Sequence, residues 1–516
     1  MLYMRLQICN SIFASLCVCA IANADVPSEH GYDDLIARIG IGNVPTGAGI
    51  EVAQVEATAS SGGYAPDETD PDLLGKTFIL QSGASVISNH ATQVGKRLYG
   101  TGVSGIAQGI NLIYVYSAEG WATNEFLHVG TSSNPSAPPG DTELINNSWI
   151  ATFGSVATDT QALRRADWSI DQHNVMMLNG VANSGAHGPL LSFGFNCISV
   201  GLQNGSHVSD VVPTGYDLPG RQIPLIVASQ GTTSNATGVV SAITALLIET
   251  RKTHPNTSGN FFASLTETTK ACLLTGGQHL AGWSNNTPTS GASRGRTSQP
   301  IDAVYGVGTA SIDRSHRVLT GGQHTSSTSP SGLSIAPSAG WETWTLSNSQ
   351  SRYIKFDVPS VASEVSIAMT WHQTANSGFG SYSLANLDLL LWKQVGGKLI
   401  SLAGDSGVGI FGSGNVISES AVDNVEHLFI KDLAIGEYVL EVRRVDSVGG
   451  ARVFSVGWLF PEQTAVPGDV NGDGIVDVND ILALIVVWGP CNGCPEDLNG
   501  DGSVNVNDLI QLISYW

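Results

Sequence analysis

Basic residues are scarce in this chain of 516 residues, which has 23 Lys and Arg against 44 Asp and Glu and a net charge of −21. Binding to a nucleic-acid backbone requires clustered positive charge, so we expect no nucleic-acid partner. Charged residues of both signs make up only 13% of the chain, whereas glycine occurs 60 times. This composition is typical of a β-rich, loop-rich extracellular protein whose acidic surface favours solubility and cation binding.

Long hydrophobic runs are lacking except at the N-terminus. Arg5 is followed by a mostly apolar run from Leu6 to Ala20 and then by Ala22-Asn23-Ala24, a small-x-small signal-peptidase site. We therefore predict a signal peptide over residues 1–24 and a secreted protein that is extracellular or associated with the cell surface. The apolar stretch 238–248 is too short to span a bilayer and predicts a core helix instead.

Cysteine is also rare, with seven in the chain, three of them within the predicted signal peptide. Cys491 and Cys494 are separated by two residues, and no second ligand pair accompanies them as a zinc site would need. In an exported chain this spacing favours a local disulfide. Cys197 and Cys272 are either bridged or simply buried, and the sequence leaves both possibilities open.

A serine at a helix start is the most informative feature that the chain does have. Ser234 lies in the turn 231–237, which leads directly into the apolar stretch from Val239 to Ile248. Helix N-terminal amides stabilise the negative charge that develops during acyl transfer, so such a serine is a candidate nucleophile. The same pattern is common in ordinary helix caps, and it needs further support.

Three upstream segments supply that support. Glu56 ends a short predicted strand, His90 begins a predicted helix, and Asn183 lies in a turn after the buried strand from Val175 to Leu178. An acid, an imidazole, an amide donor and a hydroxyl thus occur in the order Glu56, His90, Asn183 and Ser234. Each follows or ends an apolar element, where α/β folds carry their working groups.

These segments resemble those of the subtilases, the subtilisin-like serine peptidases. The similar segments are Ser88–Gly95, Gly105–Tyr116, Ile145–Trp149, Val181–Asn183, Cys197–Gly201 and Thr233–Thr237, which together span roughly residues 48 to 315. Several motifs in the right order are more specific than one. The resemblance implies a three-layer α/β domain with a mainly parallel sheet, in which Ser234 attacks, His90 transfers the proton and Asn183 stabilises the oxyanion. It also implies that Ser148 and Val181 line the substrate site.

The chain departs from the subtilase pattern at several positions. Glu56 stands where the family has aspartate, although glutamate orients the histidine in some triads. Ala91 follows His90 where glycine is usual, and Leu225 replaces the aspartate of the usual Pro-Asp pair. Gly238-Val239 replaces the family's Pro-His pair. Three further carboxylates in a Pro-containing loop are alternative acids: Asp67, Asp70 and Asp72.

The second half of the chain begins with a stretch rich in Ser, Gly, Thr and Pro over residues 321–340, which predicts a linker. Short alternating runs follow and indicate an antiparallel β-sandwich. The segments Asn386–Leu389 and Asn424–Glu426 resemble the jelly-roll domain that trails many secreted peptidases, where the same carboxylates can hold calcium. An accessory domain without a metal fits equally well. The hexapeptide Leu-Thr-Gly-Gly-Gln-His occurs twice, ending at His279 and His324, and the sequence does not explain it.

The C-terminus contains two calcium-loop patterns, each followed by one apolar segment, Ile481–Trp488 and Leu509–Trp516, that predicts a helix. Oxygen ligands recur at loop positions 1, 3, 5, 9 and 12, with a main-chain carbonyl at position 7. The ligand positions of the two loops are Asp469, Asn471, Asp473, Ile475, Asp477 and Asp480, and Asp497, Asn499, Asp501, Ser503, Asn505 and Asp508. Two loops with one following helix each resemble a type I dockerin, which implies two Ca²⁺ ions and a cohesin-bearing protein partner.

Together these observations predict a secreted, modular serine endopeptidase acting on protein or peptide substrates. The rival interpretation is a catalytically silent adhesion or scaffold component that keeps the subtilase fold. A polysaccharide hydrolase lacks support because no paired catalytic carboxylates occur in a sugar-cleft context. The predicted organisation is a signal peptide (1–24), an N-terminal segment (25–48), a subtilisin-like domain (49–320), a linker (321–340), a β-sandwich (341–462), a second linker (463–468) and a dockerin (469–516).

Overall fold

The computed structural model describes residues 25–185, 190–405, 410–461, 467–471, 476–491 and 494–516. The predicted signal peptide over 1–24 and the predicted ligands Asp473 and Ile475 lie outside these ranges.

A seven-stranded, fully parallel sheet forms the centre of the first half of the chain. Its strand order is β2-β3-β1-β4-β5-β6-β9, and a small β7-β8 hairpin lies apart from it. The strands that follow β1 in the sequence lie on both sides of it, with β2 and β3 on one side and β4, β5, β6 and β9 on the other. The chain therefore reverses its direction along the sheet beside β1. The strands are β1 (Glu51–Glu56), β2 (Thr77–Leu80), β3 (Leu112–Ser117), β4 (Thr142–Asn147), β5 (Met176–Gly180), β6 (Ile198–Leu202), β7 (Asp210–Val211), β8 (Gln222–Ile223) and β9 (Ile226–Ala228).

Helices cover both faces of this sheet, because its strands are buried on both sides and alternate residues enter two different cores. Val52 packs with α5 and α7 in one core, whereas Ala53 and Val55 pack with α4 in the other. The predicted α/β class with a parallel sheet is therefore confirmed. The helices are α1 (Tyr32–Ile39), α2 (Asn89–Leu98), α3 (Ala118–Gly120), α4 (Val156–His173), α5 (Thr233–Thr253), α6 (Thr266–Thr275) and α7 (Ile312–Thr320).

Two further sheets, made mostly of antiparallel pairs, form the β domain of the second half. Residues of both sheets share one core. The strand orders are β10-β19-β16-β21-β12, with β17 beside β16, and β11-β22-β13-β20-β18. A β14-β15 hairpin lies outside both. The strands are β10 (Arg296–Thr297), β11 (Ala339–Leu346), β12 (Ser351–Val358), β13 (Ala362–Trp371), β14 (Thr374–Ala375), β15 (Tyr382–Ser383), β16 (Leu387–Val395), β17 (Lys398–Ser401), β18 (Ser413–Gly414), β19 (Ile417–Ser418), β20 (Val425–Leu433), β21 (Gly436–Arg444) and β22 (Arg452–Leu459).

The boundary between the two halves differs from the predicted linker over 321–340. Ser327 and Ile335 form bridges to β12, and Ala336 lies in the core of the β domain. From the other side, β10 pairs in parallel with β19, although residues 296–297 precede the predicted boundary. The segment is ordered because its main-chain groups complete the edge of a sheet.

The repeated hexapeptide is a helix stop. Its threonine is the last residue of α6 in one copy and of α7 in the other, and a glycine follows each as the C-cap. A side chain at Gly276 would collide with Ser315, and one at Gly321 with the main chain of Ala339. Gln278 and Gln323 then form β-bridges, so the motif turns a buried helix end into extended chain.

The C-terminal module contains α8 (Val478–Val486), β23 (Gly489–Pro490), β24 (Ser503–Val504) and α9 (Val506–Ser514). Both helices begin three residues before the predicted starts. Asp477 and Asn505 are N-caps whose side chains accept the amides of Asn479 and Asn507, at 2.7 and 2.8 Å. Each makes a capping box with the aspartate three residues later, which brings loop positions 9 to 12 into the helix start.

The cysteines of the described part fall into two classes. Cys491 and Cys494 form the predicted disulfide, whereas Cys197 and Cys272 are free and buried. None of the helices in the described ranges combines the length and apolar character required to cross a membrane.

Candidate active site

The carboxylate at the end of β1 meets the histidine at the start of α2. His90 Nδ1 donates to Glu56 Oε2 at 2.6 Å. Glu56 is fully buried, whereas about half of the His90 side chain is exposed, at 49%. Ser88 caps α2 by accepting the amide of Ala91, which fixes the helix start that carries His90. The extra methylene of glutamate therefore does not prevent contact with the imidazole.

Another buried residue of β1, Gln54, holds the carboxylate of Glu56, and it was not among the predicted site residues. Gln54 donates to Glu56 Oε1 at 2.7 Å and to the carbonyl of Ala91 at 2.9 Å. Tyr99, also fully buried, donates to Gln54. Gln54 lies two residues before Glu56 and so on the same face of the strand. A glutamine inside a buried parallel strand is the signal that could have revealed this chain of hydrogen bonds.

Ser234 is the second residue of α5; the sequence predicted a serine at a helix start, but α5 begins at Thr233, inside the segment 231–237 that was predicted as a turn. The helix begins with Thr232 as N-cap, whose hydroxyl accepts the amide of Asn235 at 3.4 Å. The Ser234 hydroxyl donates to the carbonyl of Ser148 at 3.3 Å, and the Ser148 hydroxyl donates to the carbonyl of Ser234 at 3.0 Å. These reciprocal contacts join the first turn of α5 to the residue that follows β4.

Asn183 is tied to the same turn. Its Oδ1 accepts the amide of Thr233 at 2.9 Å and the Thr233 hydroxyl at 3.2 Å. Because the oxygen is engaged by donors, the side-chain Nδ2 remains as the amide's own donor. Ser234's main-chain amide belongs to the first helical turn, whose amides have no intrahelical acceptor.

The predicted site residues line one cleft of about 310 Å³, with the buried Glu56 behind His90. The lining includes His90, Ser148, Val181, Asn183 and Ser234. The cleft lies at the carboxyl ends of the parallel strands, beside the strand where the chain reverses its direction of growth. This is the general position of ligand sites in open α/β sheets.

Electrostatics at this site favour the protonated form of His90. The hydrogen bond that His90 donates to the carboxylate of Glu56 raises the pKa of His90 above its usual value, and burial opposes that shift. A paired carboxylate has this effect because it stabilises imidazolium. An imidazole paired in this way can accept a proton and stabilise the resulting positive charge, although the Ser234 hydroxyl bonds the carbonyl of Ser148 in this structure.

The alternative acids are engaged elsewhere. Lys96 pairs with Asp70 and Asp72, at 3.3 and 2.7 Å. Asp67 accepts the amide and the hydroxyl of Thr69, at 2.9 and 2.7 Å. Glu56 is thus the carboxylate that contacts His90.

Side-chain oxygens of the second predicted calcium loop accept hydrogen bonds from main-chain amides of the same loop. Amides 501 to 503 donate to the side-chain oxygens of Asp497, Asn499 and Asp501 at 2.8 to 3.1 Å. The buried Asp508 accepts the amides of Asn499 and Asn505, at 3.2 and 2.8 Å. Within the described ranges no group of three or more His, Cys, Asp or Glu is arranged for a metal. The donor set here instead mixes aspartate with asparagine and serine, which are oxygen donors suited to calcium.

In the first loop the described predicted ligands are Asp469, Asn471, Asp477 and Asp480. The buried Asp480 accepts the amides of Asn471 and Asp477, at 3.1 and 2.8 Å. These two contacts repeat those of Asp508 in the second loop.

The candidate calcium carboxylates of the β domain bind protein groups. Asp388 accepts from Arg443 at 2.7 Å. Glu426 is fully buried and accepts from the Ser418 hydroxyl and from the amide of Ser420.

Comparison with known proteins gave solved structures and nothing else. No family model and no curated protein matches the chain. The prenylagaramide maturation protease PagA is 19% identical, with a TM-score of 0.32 and coverage of 52% of this chain and 92% of that one. The serine protease of Aeromonas sobria is 12% identical, with a TM-score of 0.34 and coverage of 80% and 88%. The self-cleaved protease domain of PatA is 16% identical, with a TM-score of 0.32 and coverage of 53% and 97%.

Proposed function

We propose that the chain is a secreted serine endopeptidase of the subtilase type, with Glu56, His90 and Ser234 as its catalytic triad. The observation that carries the proposal is the 2.6 Å hydrogen bond between His90 Nδ1 and a fully buried Glu56. His90, Asn183 and Ser234 line the same cleft. A buried carboxylate that fixes one imidazole nitrogen leaves the other nitrogen to serve as a base.

In the first half of the reaction, Ser234 Oγ attacks the scissile carbonyl carbon while His90 Nε2 accepts the hydroxyl proton. The carbonyl π electrons move to oxygen, which accepts hydrogen bonds from Asn183 Nδ2 and from the amide of Ser234. Glu56 holds the Nδ1–H tautomer and stabilises the imidazolium.

In the second half, the tetrahedral intermediate collapses and the C–N bond breaks. His90 returns its proton to the leaving amine, which departs and leaves an acyl ester on Ser234. Water then attacks the ester carbonyl, with His90 again as base, and the acid product leaves as Ser234 recovers its proton.

Hydrolysis of an unfolded protein substrate tests this proposal. We expect Ser234→Ala to remove the activity, because Ser234 is the proposed nucleophile and lines the cleft together with His90. Ser184→Ala is the matched control, since Ser184 is an exposed serine on the turn that also carries Asn183. Equal activity in the two variants would contradict the assignment.

The second candidate function is a silent subtilase-fold scaffold, and one contact favours it. The Ser234 hydroxyl donates to the carbonyl of Ser148, so it must rotate before its proton can pass to His90. Apo active sites often tighten only when substrate binds. Retention of partner binding together with complete absence of turnover in the wild-type protein would support the silent alternative.

We further propose that the C-terminal module is a calcium-dependent dockerin with two ion sites. Asp497, Asn499, Asp501, Asn505 and Asp508, with the carbonyl of Ser503, would hold one ion, and the equivalent positions from 469 to 480 the other. A bound cation offsets the repulsion between carboxylates in each short loop. The small module core of Val470, Leu484, Val504 and Leu512 is supporting evidence.

The partner would bind an exposed apolar face that occurs twice in the module. Val478, Leu482, Ile485 and Trp488 are each at least half exposed, and residues 28 positions later repeat the pattern: Val506, Ile510, Ile513 and Trp516. Such a contiguous exposed apolar surface marks a protein interaction site. The subtilase and dockerin resemblances together give a peptidase held on a cohesin-bearing protein.

Calorimetric titration of the full chain with cohesin modules tests the attachment. We expect binding in calcium and none with chelator, and we expect Leu482→Ser with Ile510→Ser to weaken it at least tenfold. Val395→Ser is the control, because Val395 is a half-exposed apolar residue of the β domain. Binding that survives both chelator and the double substitution would contradict the proposal.

A further inference from the structure

Residues 25–48, here called the N-terminal strap, pack against helices of the α/β domain. Leu35 of α1 is fully buried in the main core. Arg38 Nε donates to Asp313 of α7 at 2.6 Å. At the other end of the strap the amides of Thr46 and Gly47 both donate to Glu249 of α5 at 2.6 Å. The strap is therefore anchored at two separated points.

N-terminal to both anchors, His30 joins two main-chain segments of the α/β domain. It is almost completely buried, at 1% exposed. Its Nδ1 lies 2.8 Å from the carbonyl of Ala310, and its Nε2 accepts the amide of Ser229 at 3.4 Å. A carbonyl can only accept, so Nδ1 carries the proton and Nε2 is the acceptor. One neutral tautomer satisfies both contacts.

The two segments that His30 joins are the end of β9 and the chain that pairs with it. The amide of Val227 donates to Gly308 at 3.0 Å, and the amide of Ala310 donates to Val227 at 2.9 Å. Ser229 follows β9 directly and begins the turn to α5, five residues before Ser234. His30 thus holds the strand side of this turn, and Asn183 holds its helix side at Thr233.

We infer that His30 is a positioning residue for Ser234, acting through the amide of Ser229 at the start of the turn between β9 and α5. The inference rests on the proposed peptidase function. Without the Nε2 acceptor, the four-residue turn between β9 and α5 loses its contact with the strap and keeps the bond of 3.4 Å from Arg97 Nε to the side chain of Gln230. A displacement of about 1 Å in a reacting group can cost about a hundredfold in rate. The strap is then part of the catalytic apparatus as well as of the core.

Two amide substitutions separate the two contacts of His30. His30→Gln extends to the position of Nε2 and retains an acceptor for Ser229, whereas His30→Asn reaches only as far as Nδ1 and retains the donor to Ala310. We expect His30→Asn to slow fluorophosphonate labelling of Ser234 about tenfold or more. We expect His30→Gln to remain within about threefold of the wild type. Arg38→Ala is the control, because it loosens the strap away from His30 and should lower the melting temperature without slowing labelling.

Hydrogen exchange at the Ser229 amide provides a readout that needs no activity. It should lose protection in His30→Asn and keep it in His30→Gln. The inference is overturned if labelling in both variants falls only in proportion to melting temperature, or if Ser229 stays protected in His30→Asn. A wild-type protein that does not label refutes the peptidase proposal, and the exchange result still decides whether His30 holds the turn.

Discussion

At the scale of single residues, the pairing of Glu56 with His90 would set the pH range in which the proposed site is active. Only neutral His90 accepts a proton, and the carboxylate of Glu56 raises the pKa of His90. Activity should therefore be present above that pKa and lost as the pH falls through it. We predict an acid limb of kcat/KM above the usual histidine value of about 6.5.

Replacing the acid tests this directly. In Glu56→Gln the acid limb should move to lower pH, and the plateau should fall about ten-thousand-fold because the amide no longer fixes the tautomer. Glu51→Gln is the matched control, since Glu51 begins the same strand outside the cleft lining. An unchanged profile in Glu56→Gln would remove Glu56 from the mechanism.

The sequence was informative about which side chains share the cleft and less so about what holds them. Glu56, His90, Asn183 and Ser234 could be found because each ends or begins an apolar element, and parallel strands bring such ends together. Gln54 gave a signal, a glutamine within a buried strand, but its partners and the contact of Tyr99 could not be predicted, because they depend on how α2 packs against β1. The orientation of the Ser234 hydroxyl toward Ser148 is likewise a tertiary property.

At the scale of elements, the C-terminal helices show how loop and helix overlap. The apolar pattern predicted starts at Ile481 and Leu509, but α8 and α9 begin at Val478 and Val506. Asp477 and Asn505 act as N-caps, and Asp480 and Asp508 complete the capping boxes. The hydrophobic pattern alone cannot identify residues that serve both as caps and as ligand positions.

These shared residues give a test of the calcium proposal. We predict that calcium slows amide hydrogen exchange in α8 and α9 of the full chain and that Asp480→Ala with Asp508→Ala removes this effect, because each loses its position-12 ligand. Glu496→Ala is a control that removes one carboxylate just outside the second loop. Calcium protection that persists in the double variant would contradict the ligand assignment.

Glu342 of β11 gives the β domain a pH-dependent stability. It is fully buried and accepts the amide of Ser326 at 2.5 Å, and burial raises its pKa to about 7. Because the folded state keeps this proton where the unfolded state has released it, the contribution falls as the pH rises from about 4.5 to 7. Glu342→Gln should flatten the melting temperature over that range. A decline as steep as in the wild type would contradict the role of Glu342.

At the scale of the whole molecule, the two large halves share a core and a buried polar junction. Trp341, Ala368 and Leu459 of the β domain belong to the core that also contains α5, α6 and α7. Asn424 donates to the carbonyl of Phe195 at 2.9 Å and to that of Trp371 at 2.7 Å. Composition predicted a linker between the two halves, but it carries no information on which surfaces pack together.

Because of this shared core, we predict that the α/β and β domains unfold in one calorimetric transition. Asn424→Ala should lower its free energy of unfolding by about 1–3 kcal/mol, since the buried carbonyl of Trp371 loses a donor and that of Phe195 is left with Lys270. Asn348→Ala, in the exposed turn between β11 and β12, should change it by less than about 0.5 kcal/mol. Two separate transitions, with only one displaced by Asn424→Ala, would contradict a common cooperative unit.

The central claim is that Ser234 is a nucleophile activated by His90, and fluorophosphonate labelling followed by peptide mass spectrometry tests it most directly. We predict a single adduct on Ser234, formed slowly in His90→Ala and absent in Ser234→Ala, with Ser184→Ala labelled like the wild type. An unlabelled wild-type protein, or an adduct at the same rate in Ser234→Ala, would show that Ser234 is not the nucleophile.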